Sequence, residues 1–334
     1  MKQVGADDAK ANEGAVSRRS LVGGLLAGGA ASLAPSLAFG QDAARAAPEV
    51  IVPGSDTIGI VDWRVDPYGR IITQVFVNGQ GPFRFFVDTG ANRCAFSARL
   101  AARVGAVPAG MANVNGISGV QPAPMVMVDN LRCGAFELRG ATVPILSDEL
   151  ILPADGMLGM DRFAGLRLEF DNLSRTMVVK RSGRGSWDPT FSMPADIRFG
   201  QLVSAKAKIG TATVTVVFDT GAELGLANEA MRRLLDRPAP ELKRMRLTNA
   251  AAPIFVEDSV LIPRIKLPNC EFKNIGAYVG DFHIFQIWNL IDTPALLLGM
   301  SALGVVDRFA IDYGQREMQF MPKAEVMSVR ALMR

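Results

Sequence analysis

The chain has 334 residues, of which 49% are hydrophobic and 21% charged, a composition that excludes wholesale disorder and allows one large domain or two ordinary ones. Its formal net charge of +3 is too small to favour nucleic acid as the main partner. Three cysteines are too few for a zinc cluster or a disulfide framework, and the single histidine, His283, excludes a two-histidine metal site.

The N-terminal segment carries a pattern typical of protein export. Arg18 and Arg19 stand just before a weakly apolar run from Leu21 to Ala34 that is rich in Gly and Ala. This arrangement resembles a twin-arginine signal. We therefore predict a signal peptide and short spacer over residues 1–46 and a periplasmic or secreted protein, anchored to the membrane if the signal is not cleaved. No other stretch has the roughly 18 apolar residues of a membrane span, so we expect no stable span after signal removal.

A short motif occurs twice in the rest of the chain. Val87–Ala91 (VDTGA) recurs as Phe218–Ala222 (FDTGA), at an offset of 219 − 88 = 131 residues. Each copy follows a predicted hairpin and precedes a predicted short helix. The hairpins are 71–77 with 83–87 around a turn at 78–81, and 203–209 with 212–218 around a turn at 210–211; the helices are 97–104 and 228–235, with Ser97 and Asn228 as N-caps.

A second motif and a closing hairpin complete each copy. Gly156–Met160 (GMLGM) matches Leu296–Met300 (LLLGM), and a predicted strand pair follows each of them. Residues 181–195 are rich in Gly, Ser, Pro and charge, which is typical of a linker. The sequence therefore predicts two β lobes, 57–180 and 196–322, joined by a linker at 181–195 and followed by a tail at 323–334.

The strand followed by Asp-Thr-Gly-Ala, with a later apolar-apolar-Gly motif, resembles the aspartic protease families, both pepsin-like and retropepsin-like. The alanine that ends each motif is similar to that of retropepsins and of their bacterial two-copy relatives. The resemblance covers roughly residues 57–322 and implies an all-β acid protease fold whose two homologous lobes are related by a pseudo-twofold axis. Because this chain encodes both active-site loops, we expect a monomer with an intramolecular interface between the lobes.

The same resemblance implies that Asp88 and Asp219 form the catalytic pair. Two carboxylates within hydrogen-bonding distance cannot both ionise easily, so they share one proton. The ionised carboxylate acts as a general base on a bound water, while the protonated one donates to the peptide carbonyl oxygen. The predicted activity is that of an aspartic endopeptidase with a polypeptide substrate, and no metal, cofactor or nucleic acid is expected to take part.

The remaining motif residues have supporting roles by resemblance. The threonines are expected to form hydrogen bonds with the opposite loop, and the glycine after each threonine permits a tight loop where two backbones approach closely. The glycine of each second motif would let a neighbouring strand pack directly beneath an active-site loop. The loop-support residues are Thr89, Gly90, Ala91, Thr220, Gly221 and Ala222, and the later glycines are Gly159 and Gly299.

A hairpin flap is expected to close over the substrate. In the first lobe Val114–Gly119 looks like the tip of such a flap, because its glycines can act as hinges. The predicted flap and substrate-binding residues are Asn115, Gly116, Ile117, Ser118 and Gly119. The equivalent segment of the second lobe, Leu247–Pro253, has no glycine, so we predict one working flap.

The residues alone leave several alternatives open. The same cleft could belong to a catalytically silent module that binds an extended peptide as an added strand. Glu223, which follows the second motif, would raise the pKa of the aspartates if its carboxylate pointed inward. Cys94 is predicted to be a buried, small apolar side chain, with a bridge to Cys133 left open. His283 is expected to belong to an insertion in the second lobe, either exposed or packed in the core.

Overall fold

The described part of the chain is mostly β, as predicted, with only a few short helices. A computed structural model describes residues 49–51, 57–161, 163–199, 201–235 and 244–323. The predicted signal and spacer at 1–46 and the predicted tail from residue 324 onwards lie outside these residues. Within the described residues, no helix is long and apolar enough to cross a membrane.

The elements alternate in a similar order in the two halves of the chain. The first half contains β1 (Glu49–Ile51), β2 (Thr57–Val65), β3 (Ile71–Val77), β4 (Gln80–Val87), β5 (Ala95–Ser97), α1 (Ala98–Arg103), β6 (Val107–Gly116), β7 (Gly119–Cys133), β8 (Phe136–Leu146), α2 (Asp148–Ile151), β9 (Gly156–Leu158), β10 (Leu166–Asp171) and β11 (Thr176–Arg181). The second half contains β12 (Phe191–Pro194), β13 (Asp196–Arg198), β14 (Leu202–Ile209), β15 (Ala212–Phe218), β16 (Gly225–Ala227), α3 (Glu229–Leu235), β17 (Met245–Leu247), β18 (Ile254–Val256), β19 (Ser259–Lys266), β20 (Glu271–Val279), α4 (His283–Ile287), β21 (Ala295–Leu298), α5 (Met300–Leu303), β22 (Val306–Asp312) and β23 (Glu317–Pro322).

These strands form three sheets. The largest has 14 strands in the order β12-β23-β22-β10-β11-β2-β3-β4-β9-β5-β8-β7-β6, with β1 against β8. The second has seven strands in the order β13-β14-β15-β21-β16-β20-β19, and β17 pairs with β18 alone. The repeated sequence motifs have matching strand partners, because β4 runs parallel to β9 in the first half and β15 runs parallel to β21 in the second.

The largest sheet contains strands from both halves. β10 pairs antiparallel with β22, and the paired Phe170 and Phe309 stack with ring centroids 4.5 Å apart. β11 and β2 continue the sheet on one side, while β23 and β12 continue it on the other. β12 lies inside the segment predicted as a linker and pairs with β23. The predicted lobe boundaries stay a prediction. The two halves nevertheless share backbone hydrogen bonds where β10 pairs with β22.

Local sequence signals account for the short helices and the tight turns. Ser97 caps α1, since its Oγ accepts a hydrogen bond from the N–H of Leu100 (3.0 Å). Asn228 caps α3 in the same way, with Oδ1 accepting from the N–H of Met231 (2.9 Å). The first predicted turn is shorter than expected, because Asn78 and Gly79 both adopt positive φ and let Val77 pair directly with Gln80.

Two small hydrophobic clusters accompany the main core, one in each half. The first-half cluster consists of Phe86, Ala95, Leu146, Ile151, Ala154 and Met157. The second-half cluster consists of Leu202, Val217, Leu226, Val256, Tyr278, Phe282, Ile284, Phe285, Trp288, Leu290, Ala295 and Leu297. Ala91 packs against the first cluster and Ala222 against the second, so each cluster supports one of the repeated motifs.

Candidate active site

Asp88 and Asp219 each lie immediately after a strand that is paired on both sides. β4 ends at Val87, and the N–H of Asp88 continues the pairing with β9 by donating to Leu158 O (3.0 Å). β15 ends at Phe218, and the N–H of Asp219 donates to Leu298 O in β21 (3.1 Å). The buried strands therefore fix the backbone of both aspartates.

The glycine after each threonine permits a tight loop around the carboxyl groups. The N–H of Gly90 donates to Asp88 Oδ1 (2.9 Å), and the N–H of Gly221 donates to Asp219 Oδ1 (2.8 Å). A Cβ on Gly90 would lie only 2.8 Å from Asp219 Cγ, and a Cβ on Gly221 would overlap the carboxyl group of Asp88. Each loop therefore approaches the aspartate of the other loop so closely that no side chain larger than hydrogen fits.

The two threonines connect the loops in a reciprocal pattern. Thr89 Oγ1 donates to Phe218 O (3.2 Å) and accepts from the N–H of Thr220 (3.0 Å). Thr220 Oγ1 donates to Val87 O (2.9 Å) and accepts from the N–H of Thr89 (3.2 Å). Both threonines are fully buried, so water does not compete for these four hydrogen bonds. The structure thus brings the loops together by the contacts that the resemblance implied.

The carboxyl groups of Asp88 and Asp219 lie within hydrogen-bonding distance of each other. Burial raises the pKa of Asp88 well above its ordinary value of 3.8, and the negative charge of Asp219 and the hydrogen bond to it raise that pKa further. Burial also raises the pKa of Asp219, although hydrogen bonds from Gly221 and Asp88 oppose the shift. The pair therefore keeps a proton to a higher pH than two separate carboxyl groups would.

The later glycines lie directly beneath the two loops. A Cβ on Gly159 would overlap the backbone of Arg93, and a Cβ on Gly299 would lie 2.6 Å from Ala222 O. The next residue along the chain holds each loop, because the N–H of Met160 donates to Ala91 O (2.9 Å) and the N–H of Met300 to Ala222 O (2.8 Å).

Asp161 supports the first loop, although no pattern singled it out. Its Oδ1 accepts hydrogen bonds from the N–H of Cys94 (2.9 Å) and from the Cys94 thiol (3.0 Å). Burial raises the pKa of Asp161, and these two hydrogen bonds oppose the shift. The corresponding residue of the second half, Ser301, instead donates its N–H to Glu223 O (2.9 Å). Asp161 directly follows the repeated Gly-Met pair, and this position is a sequence signal that could have identified it.

The predicted flap residues occupy the end of a long hairpin formed by β6 and β7. Gly116 pairs with Gly119, so Ile117 and Ser118 form the turn, while Asn115 remains exposed. Val114 packs against the first-half cluster, and Ile117 packs against the second-half cluster. The hairpin thus crosses from one half of the chain to the other, beside both repeated motifs.

The second half also forms a hairpin at the corresponding place. β17 and β18 pair from Met245 to Val256 and enclose a loop at residues 248–253. The absence of glycine from this segment was the ground for expecting one working flap, and that expectation stays a prediction. A hairpin forms without glycine because a six-residue loop is long enough to turn in ordinary backbone conformations.

Two further candidate residues, Glu223 and His283, are not part of the aspartate pair. Glu223 faces the first half, since its Cγ would be 3.4 Å from a Cβ on Gly69. Burial and the charge of Asp66 raise the pKa of Glu223. His283 begins α4, where its backbone N–H donates to Ile117 O (2.7 Å).

No disulfide bond joins any of the three cysteines, all of which lie in the described part of the chain. Cys94 and Cys133 are buried, as predicted for Cys94, and Cys270 is partly buried. Burial raises the pKa of Cys133 to about 12, so its thiol is protonated at neutral pH. The described residues contain no group of three or more His, Cys, Asp or Glu side chains that could hold a metal ion.

Comparison with known proteins agrees with this geometry in the first half. A protein-family model described as aspartyl protease matches residues 73–162, a range that contains Asp88, the β6–β7 hairpin and Gly159. No curated protein matches the chain. Over residues 73–162 this chain is therefore similar to an aspartyl protease family, which supports the resemblance drawn from the sequence motifs.

Proposed function

We propose that the protein is an aspartic endopeptidase in which Asp88 and Asp219 together activate a water molecule. The observation that carries this proposal is the interlocked pair of Asp-Thr-Gly loops, whose carboxyl groups lie within hydrogen-bonding distance. The family match over residues 73–162 supports the same class of chemistry, because it includes one of the two loops. The fold proposed with it is the acid protease arrangement of two related β lobes.

The proposed reaction uses one ionised and one protonated carboxyl group. The ionised carboxylate takes a proton from the water, whose oxygen attacks the carbonyl carbon of the peptide. The protonated carboxyl group donates to the carbonyl oxygen, which gives a neutral tetrahedral intermediate. Proton transfer to the amide nitrogen then allows the C–N bond to break and releases two peptides. Gly90 and Gly221 hold one oxygen of each carboxyl group, so neither group must reorient during the reaction.

The proposed substrate is an extended polypeptide lying between the two halves. Ala91 and Val114 contact the first-half cluster on one side, and Ala222 and Ile117 contact the second-half cluster on the other. Because these surfaces are apolar, we expect cleavage between residues with apolar side chains. Mapping the cut sites in an unfolded protein by mass spectrometry tests this preference, and cleavage mainly beside charged residues would contradict it.

We further propose that one chain is sufficient for activity and that the chain is exported. The proposal of a one-chain enzyme follows from both loops being on one chain, and it requires the active species to have the mass of a monomer.

The proposal of export rests on the sequence around Arg18 and Arg19. Replacing both arginines with lysine should keep the protein in the cytoplasm, and unchanged export would contradict a twin-arginine signal.

The deciding experiment replaces each aspartate with the isosteric asparagine. Asp88→Asn and Asp219→Asn should each abolish cleavage of unfolded casein at acid pH, because neither variant can hold one ionised and one protonated carboxyl group. Asp129→Asn, at an exposed position, is the matched control and should cleave normally. Circular dichroism must show that all three variants are folded. Turnover by both asparagine variants would refute the proposal, and binding without cleavage by the natural protein would favour the peptide-binding alternative.

A further inference from the structure

The tip of the β6–β7 hairpin is bound to the second half by side-chain hydrogen bonds. The Ser118 hydroxyl lies 2.6 Å from Ala252 O and 3.1 Å from Asn249 Oδ1, and one of these oxygens takes its single proton. The same hydroxyl accepts from the N–H of Ala252 (3.2 Å). The N–H of Ser118 also points at Asn249 Oδ1, at 3.4 Å. These contacts join the turn of one hairpin to the loop of the other.

Asn249 is the centre of this contact. Its side chain is only 4% exposed, and both ends of its amide are used. Oδ1 accepts from the N–H of Ala251 (3.0 Å) and faces Ser118, while Nδ2 donates to Ala252 O (2.7 Å). The amide therefore shapes the 248–253 loop and presents an acceptor to the opposite hairpin at the same time. An apolar side chain of similar size could do neither.

Two further contacts hold the hairpin tip in the same place. The N–H of His283, at the start of α4, donates to Ile117 O (2.7 Å). Gly116 lies against the second hairpin so closely that a Cβ there would be 2.5 Å from the N–H nitrogen of Ala251. The first hairpin is therefore held closed by partners that all belong to the second half.

We propose that Asn249 is a positioning residue that keeps the β6–β7 hairpin closed beside the two aspartates through Ser118. The catalytic consequence of this inference rests on the proposed function, whereas the role of Asn249 in holding the hairpin closed does not. The second hairpin then acts as a fixed anchor, and the first hairpin is the part that must open for a polypeptide to bind. Asn249 and Ser118 are 131 residues apart, the same offset as the two aspartates. The contact thus joins equivalent positions of the repeat.

Hydrogen exchange at the His283 amide tests the structural part directly. Its hydrogen bond to Ile117 O uses no atom of Ser118 or Asn249, so it reports on the hairpin rather than on the substituted side chain. In Asn249→Ala this amide should exchange about tenfold faster, which corresponds to the loss of one net hydrogen bond. Asn113→Ala, at an exposed site on the same hairpin, is the matched control and should leave the rate unchanged.

Steady-state kinetics test the catalytic part. If Asn249 favours closure, its loss should lower kcat, because the hairpin closes less often over bound substrate. It should also lower KM, because a larger fraction of the free protein is open and able to bind. A variant that merely folds less well would have a lower kcat and an unchanged KM. Ser118→Ala should lower kcat and KM as Asn249→Ala does. Ser118→Thr keeps the hydroxyl, so its kcat and KM should lie closer to those of the natural protein.

The outcomes separate this inference from the proposed function. Unchanged exchange at His283 in both Asn249→Ala and Ser118→Ala would overturn the role of Asn249, whatever the protein cleaves. Faster exchange in a protein that cleaves no peptide would support the closed hairpin and refute the endopeptidase proposal. If Asn249→Ala does not fold, Ser118→Ala still decides the question, since it leaves the second hairpin with its own hydrogen bonds.

Discussion

Thr89 and Thr220 hold the two candidate catalytic loops together by hydrogen bonds that cross between the halves. Each hydroxyl donates to one backbone carbonyl and accepts from one backbone N–H of the opposite loop. Serine could form the same hydrogen bonds, whereas valine has the shape of threonine but no hydroxyl. This difference allows the contribution of the hydroxyl to be measured separately from that of packing.

We therefore predict that Thr220→Val lowers the free energy of unfolding by about 2–4 kcal/mol. The substitution leaves two buried groups, Val87 O and the N–H of Thr89, without a partner. Thr220→Ser keeps the hydroxyl and should cost about 1 kcal/mol or less. Denaturant titration of both variants measures the difference. Equal stability of the two variants would mean that the hydroxyl contributes little to holding the loops.

The raised pKa of Asp88 predicts a pH-dependent gain in stability for Asp88→Asn. Because burial and Asp219 raise this pKa in the folded protein, the folded state binds the proton more tightly than the unfolded state. The stability that this proton contributes is complete below the ordinary pKa of 3.8 and is lost as the pH rises through the folded pKa.

Asparagine cannot ionise, so Asp88→Asn should have a higher Tm than the natural protein at pH 7, and the gain should disappear as the pH approaches 4. Thermal unfolding followed across this pH range measures the effect. A Tm difference that is the same at every pH would show that ionisation of Asp88 has no part in it.

Sequence reasoning located the residues whose pattern repeats and missed those whose partners are distant. The two Asp-Thr-Gly-Ala motifs identified the loops because the same four letters occur twice in matching context. Asp161 directly follows the repeated Gly-Met pair, and Asn249 lies in the segment 247–253 that matches the flap tip. Neither pattern shows that these side chains contact Cys94 and Ser118, which lie far away in the chain. Glu223 could not be oriented from sequence because its neighbours Asp66 and Gly69 come from the other half.

At the scale of single elements, Gly159 shows how closely a strand end packs beneath an active-site loop. A Cβ at this position would overlap backbone atoms of Arg93, which cannot move aside as a flexible side chain could. Gly105 offers a contrast, because nothing lies within 4 Å of its Cβ position and only its positive φ favours glycine.

We predict that Gly159→Ala costs more stability than Gly105→Ala and also disturbs the active-site loop. Gly105→Ala should cost about 1 kcal/mol for the left-handed backbone alone. Gly159→Ala should cost at least about 2 kcal/mol more, because the backbone of one segment must shift. Denaturant titration and casein cleavage measure the two effects. Gly159→Ala with natural stability and activity would show that the loop tolerates such a shift.

Most elements near the motifs were predicted, and those without a local signal were not. The paired strands before each aspartate and the capped helices after it follow from alternating apolar residues and from Ser97 and Asn228. β12 was missed because its four residues lie in a segment rich in Gly and Pro, and it is a strand only through pairing with β23. The β17–β18 hairpin was missed because its contacts with the first half are not encoded locally.

At the scale of the whole molecule, a buried ionic cluster lies where the two halves share a sheet. Arg167 in β10 is fully buried; it donates to Glu169 Oε1 through Nε (2.6 Å) and to Gln319 Oε1 in β23 through an NH2 group (2.6 Å). Its other terminal nitrogen lies 3.8 Å from Asp312 Oδ2 in β22. The cluster thus joins residues of β10 to residues of the last two strands.

Replacing Arg167 with methionine should lower the free energy of unfolding by about 3–5 kcal/mol, because Glu169 and Asp312 would remain buried without their cation. Arg232→Met is the matched control, since its ion pair with Glu229 on α3 is exposed and should contribute at most about 1 kcal/mol. Unfolding should also occur in one transition, because the halves share a sheet. Two separate transitions, or equal losses in the two variants, would contradict this interpretation.

The pairing of β10 with β22 also determines when the chain can finish folding during its synthesis. β10 ends at Asp171, but its partner strand ends only at Asp312. Until that late segment leaves the ribosome, one edge of β10 has no strand to pair with and is open to other chains. Completion of the sheet therefore has to wait for this late segment, and nascent chains that stop before β22 are the species in which aggregation should be greatest.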